Sequence, residues 1–145
     1  MKIETPRGIL IKTENGEVEL VWNPAFVDVW EGRYHDGQVF VDNEVLRLNA
    51  KYIPHQTGFL NQSGILGTIP GSGKVVYNAP YARYMYYGKV MRDDNGRAFY
   101  GKAPKHVTEE EISYQGAPQR GKLWFERMKQ AHKAQILKGL AEFMK

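Results

Sequence analysis

The sequence predicts an α+β fold: an antiparallel sheet of hairpins with two main helices packed on it, in a single domain over residues 1–145. Three observations carry that expectation. Asn15-Gly16 and Asn95-Gly96 lie between strand-like runs, and Asn-Gly supplies the positive φ angles of a tight hairpin turn. Val41, Val45, Leu48 and Tyr52 recur at helical spacing, as do Phe125, Met128, His132, Ile136, Leu140 and Phe143. No linker, internal repeat or low-complexity tract divides the chain.

Taken in order, residues 7–22 read as a hairpin turning at Glu14-Asn15-Gly16. Alternation along its second arm predicts a buried face of Val18, Leu20 and Trp22. The apolar run from Phe26 to Trp30 is too short to assign. A first helix is expected over about 38–53, after Gly37, with Asp42, Glu44, Arg47 and Lys51 off its stripe. Pro54 stops it, because proline lacks the amide that the helical ladder needs. A second hairpin is expected to pair Ile65-Leu-Gly-Thr-Ile69 with Lys74-Val-Val-Tyr77 around Pro70-Gly-Ser-Gly73. A third is expected to pair Lys89-Val-Met-Arg92 with Arg97-Ala-Phe-Tyr100. Residues 101–120 read as surface chain, with Thr108-Glu-Glu-Glu111 as a capping box for one short turn. A second long helix is expected over about 121–144.

Composition narrows the function classes. The chain has 145 residues, 42% hydrophobic and 25% charged, which suits a globular domain with a sizeable core. No apolar run approaches the roughly 20 residues of a membrane span, and the first residues lack the apolar core of a secretory signal. Cysteine is absent, which excludes disulfides, a thiolate nucleophile and a cysteine-based zinc site. The net charge of +4 is thinly spread, and the enrichment at 122–138 reads as a solvated helix face.

The familiar chemistries fail one by one. Gly71-Ser-Gly-Lys74 lacks the glycine of a phosphate loop at Thr68 and the hydroxyl at Val75. A calcium loop from Asp93 would need a glutamate where Pro104 stands. His35, His55, His106 and His132 are too far apart for a helical metal pair. Ser63, Ser72 and Ser113 lack a nucleophile elbow. No catalytic set, metal site or cofactor site is expected.

The densest feature is Tyr77-Asn-Ala-Pro-Tyr-Ala-Arg-Tyr-Met-Tyr-Tyr-Gly88. Asn78 and Pro80 read as a helix start and Gly88 as its left-handed end. Tyr81, Tyr84 and Met85 would share one face and Tyr86 another. Rings with one polar handle suit either a packing hub or a protein interface. Arg83, Tyr84, Tyr86, Tyr87 and Lys89 would also serve an alternative, the stacking of single-stranded nucleic acid.

That stretch, together with Arg120-Gly-Lys-Leu-Trp-Phe-Glu-Arg-Met128 and the lead-in Thr57-Gly-Phe-Leu-Asn-Gln-Ser63, resembles the minor capsid proteins of tailed bacteriophages and prophages of Gram-positive bacteria. The likeness runs from about residue 39 to 138 and leaves the N-terminal hairpin, residues 7–22, outside it. The resemblance implies a non-enzymatic virion protein at the head–tail joint, related to head–tail connector and tail-completion proteins. It implies neighbouring neck, portal or tail subunits and a homo-oligomeric ring, with DNA contact left open and no membrane. It implies no catalytic residues, and it favours an interface role for Tyr81, Arg83, Tyr84, Tyr86, Tyr87 and Trp124. The alternative is a nucleic-acid-binding protein lining the path of DNA. Residues 89–118 offer little core and are a candidate for ordering on assembly.

Overall fold

The longest element of the computed structural model, which describes residues 2–4, 8–98 and 102–145 (backbone alone for 8–11), is helix α1, Phe26–Asn49. Strands β1 (Gly8–Thr13) and β2 (Gly16–Leu20) precede it. Helices α2 (Phe59–Gly67) and α3 (Ala82–Tyr87), strands β3 (Lys89–Arg92) and β4 (His106–Glu111) and helix α4 (Trp124–Phe143) follow. The class is α+β. The layout differs from expectation in two respects: the described strands form two separate antiparallel pairs, β1–β2 and β3–β4, and two shorter helices join the long ones.

The first hairpin turns where Asn15-Gly16 predicts, with Thr13 opposite Gly16 and Lys12 opposite Glu17. Its strand ends at Leu20, and residue 7 lies outside the described residues. The expected buried face is not formed, because Val18 is exposed and Leu20 only half-buried.

Helix α1 runs straight through Gly37 instead of starting after it. Glycine costs about 1 kcal/mol in a helix, and here the missing Cβ has a packing reason. A Cβ on Gly37 would lie 2.8 Å from Leu140 Cδ1 and 3.1 Å from Met144 Cε. The N-terminal extension is also helical because Trp22, Phe26, Trp30 and Tyr34 stack every fourth residue, with ring centroids 4.8, 6.1 and 6.0 Å apart.

Helix α4 lies antiparallel to α1. Val45 and Leu48 pack with Met128 and Ile136, and Phe40 meets Phe143 at 5.3 Å. A second cluster joins Ile53, Leu60, Ala79, Ala82 and Trp124, and Tyr52 touches both clusters. The predicted α4 stripe needs one change: Trp124 is buried while Phe125 stays partly exposed. Asp42, expected off the α1 stripe, is only 2% exposed.

The second hairpin is not there. Residues 59–67 are helical, and 74–77 are not strand, tied to Thr68 by a bond from the Val76 amide to its Oγ1 at 3.0 Å. The reason lies in Gly64 and Gly67, whose missing side chains let α2 approach the Tyr77 ring and the Val76 carbonyl. The third hairpin has a different partner. β3 pairs with β4, while 97–98 are not strand and the rest of the expected partner, 99–100, lies outside the described residues. Thr108-Glu-Glu-Glu111 is thus strand rather than a capped turn. Lys89 reaches Glu111 at 2.8 Å and Arg92 reaches Glu110 at 2.8 Å, so cross-strand ion pairs favour that register.

Candidate protein-interaction surface

The tyrosine segment forms a single short helix, α3, shorter than the sequence predicts. Gly88 ends it at φ 81°, its amide donating to the Tyr84 carbonyl at 2.8 Å. Asn78 does not cap it; Tyr81 occupies the N-cap position without a side-chain bond. Tyr77, before the helix, points into the molecule. Its hydroxyl accepts from Asn49 Nδ2 at 3.1 Å, and its ring stands edge to face with Trp124 at 5.7 Å. Burial pushes the Tyr77 phenol up to about 12.

The Arg120–Met128 string does structural work at three points. Arg120 Nη1 donates to the carbonyls of Ala50 and Ile53 at 2.9 and 2.6 Å, which occupies carbonyls left over at the end of α1. Gly121 donates its amide to Tyr52 at 3.0 Å. Arg127 donates to the carbonyls of Lys122 and Pro118 at 3.0 and 2.8 Å and lies over the Tyr52 ring. Between them Leu123 turns the chain into α4 at φ 53°, a left-handed conformation costly for a branched side chain. Its amide donates to the Tyr86 carbonyl at 2.8 Å, which ties the two strings together.

The six residues expected at an interface therefore separate. Arg83, Tyr86, Tyr87 and Trp124 line one groove of about 590 Å³ between α1, α3 and the start of α4. Tyr81 and Tyr84 face a second concavity of about 730 Å³ towards β3 and β4. Tyr87 is 59% exposed and Arg83 is exposed, so both are open to a partner. Tyr81 is exposed along one side, with its ring 6.2 Å from that of Phe59. Tyr84 and Tyr86 are half-buried. Trp124 is 2% exposed and lies in the core, enclosed by Tyr77 and Tyr86 at the floor of the groove.

Comparison with protein-family models, curated proteins and solved structures returned no match.

A further group of exposed apolar side chains lies on α2 and the residues after it. Phe59, Ile65, Leu66 and Ile69 all face outward, Leu66 at 79% and Ile69 at 75% exposure. Large exposed apolar surfaces mark interaction sites. The sequence held the signal, a run of aliphatics around Gly64 and Gly67, but reading it as a strand hid which side they occupy.

Asp42 answers the phosphate-loop question. Its Oδ2 accepts the amides of Gly71 and Gly73 at 2.8 and 3.1 Å, and its Oδ1 accepts from Gln38 Nε2 at 2.9 Å. Both glycines have positive φ, 93° and 73°, so their amides converge as in an anion-binding nest. The anion is the protein's own carboxylate. Asp93 plays the same part in the turn at 93–96, its Oδ1 accepting the amides of Asn95 and Arg97 at 3.0 and 2.8 Å. His132 Nε2 lies 3.1 Å from the Tyr52 hydroxyl, as suits a packing histidine. Among the described residues no three His, Cys, Asp or Glu side chains group as metal ligands, and no helix is long and apolar enough to cross a membrane.

Proposed function

We propose that this chain is a non-enzymatic structural protein of a tailed-phage virion, a minor capsid or head–tail joining (neck) component that acts through subunit–subunit contacts. Its partners are neck, portal or tail subunits, including further copies of itself in a ring. The observation that carries the reading is the group of exposed apolar side chains on α2 and just after it, Phe59, Ile65, Leu66 and Ile69, with the exposed Tyr81 ring 6.2 Å from that of Phe59. A lone chain leaves that surface in water, whereas a subunit covers it. The two strings that resemble the family support it differently. Arg120 and Arg127 of the second string bond backbone carbonyls, and Trp124 packs on Tyr86 of the first, so the two strings build one scaffold behind the surface.

Electron microscopy of lysates from a phage lacking the gene tests the proposal. Filled heads beside finished, unattached tails are expected. Normal infectious particles would overturn it. The competing reading, a nucleic-acid binder along the DNA path, predicts filter binding that weakens steeply with salt, because phosphate contacts release counterions. Negligible binding at every salt concentration removes that alternative.

A further inference from the structure

We propose that copies of this chain associate head to tail, the acidic N-terminal arm of one copy lying on the basic outer face of α4 in the next. The inference deepens the ring reading above and rests on it for its setting, while its physical grounds are separate. Charge is segregated along the sequence. Residues 12–36 hold six acidic and two basic side chains, net −4, and residues 120–145 hold seven basic and two acidic, net +5. The fold keeps these regions apart within one molecule. Gly37 packs on Leu140 and Met144 at the end of α4. At 1.5 Å per residue, the 26–36 portion of α1 therefore runs about 16 Å past that end. Among the described residues, Glu14, Glu17 and Glu19 pair with no cation, and Lys133 pairs with no anion. Lys12 faces Glu17 across the hairpin ladder without forming an ion pair.

Apolar exposure follows the same division. The arm leaves Val18, Val21 and Val29 open, while α4 carries exposed Leu137 in line with Lys133 and Lys129 at intervals of four. A two-stranded hairpin is marginally stable in water by itself, so covering the arm stabilises it as well as neutralising it. The surfaces are unlike, which makes the contact heterologous. Each copy then offers one arm and one helix face, and repetition closes a ring or extends a filament.

Sedimentation velocity of the purified, nuclease-treated full chain tests this, with circular dichroism confirming that each variant is folded. Concentration-dependent oligomers are expected at low salt, weakening at about 0.5 M salt, where screening reaches within a few ångströms. Glu17→Lys with Glu19→Lys, and separately Lys129→Glu with Lys133→Glu, should each weaken association at least about tenfold. Mixing the two variants should restore it, because each arm then meets an opposite face. A monomer at all concentrations, indifference to the reversals, no restoration on mixing, or association that needs added nucleic acid would each overturn the proposal. Any of these would leave the neck reading to the phage experiment, and failure of that experiment would leave the self-association intact.

Discussion

Trp124 and Tyr86 meet edge to face, with ring centroids 4.8 Å apart and planes at 86°. One comes from the 120–128 string and one from the 77–88 string, so segments far apart in sequence share one core. The partly exposed Tyr86 thereby closes over a tryptophan that the solvent barely reaches.

Removing that tryptophan should be costly. Trp124→Ala is expected to lose about 3–5 kcal/mol, whereas Tyr87→Ala, on the exposed side of α3, should stay within about 0.5 kcal/mol. Urea unfolding of both variants measures the difference. Equal losses would mean that core and surface have been divided wrongly.

Asp42 holds the 71–73 turn through two amides. Asp42→Ala strands those donors at a partly buried position and should cost about 1–3 kcal/mol. Amide hydrogen exchange should show protection lost first at Gly71 and Gly73. Unchanged protection at these two amides would contradict the carboxylate's role.

The Tyr77 phenol, raised to about 12 by burial, sets an alkaline limit. An unfolded tyrosine ionises near pH 10, so between pH 10 and 12 the unfolded chain releases a proton that the folded chain keeps. Stability from this group is complete below pH 10 and is lost as pH rises through that window, by on the order of 2 kcal/mol. Tyr114, whose hydroxyl donates to the Met85 carbonyl at 2.6 Å, is raised to about 12 by burial and by nearby Glu111, and adds a smaller share because it is more open to solvent. Ultraviolet titration of phenolate should show late-ionising tyrosines, one of them missing in Tyr77→Phe. A titration completed near pH 10 would refute the assignment.

The α2 stripe separates folding from assembly. Leu66→Glu with Ile69→Glu changes two highly exposed positions and should alter stability by no more than about 1 kcal/mol. In a complementation assay the same variant should yield no joined particles. Joined particles at the normal yield would show that the stripe faces no partner.

Much of the fold was legible where local rules act alone. The Asn15-Gly16 turn, the Gly88 helix end and the helical stripes of α1 and α4 all depend on residues within a turn or two of one another, whereas α1 ends at Asn49, before the expected stop at Pro54. The failures share a cause. Gly37 reads as a helix boundary and 65–69 as a strand, yet Gly37 and Gly64 are each a place where another element approaches: Leu140 and Met144 at one, the Tyr77 ring at the other. Thr108 to Glu111 read as a helix start, yet Lys89 and Arg92, some twenty residues away, select a strand. The run from Phe26 to Trp30 is too short to assign by itself; the ladder of Trp22, Phe26, Trp30 and Tyr34 makes it helical.

The sequence by itself determined the α+β class, the two long helices and the first hairpin turn, because composition, periodicity and turn chemistry are local properties. Only the tertiary structure decided which aromatic residues are core and which are surface. A ring's burial depends on what packs across from it. Trp124 is enclosed because Tyr77 and Tyr86 arrive from another part of the chain, and Leu66 is open because nothing does.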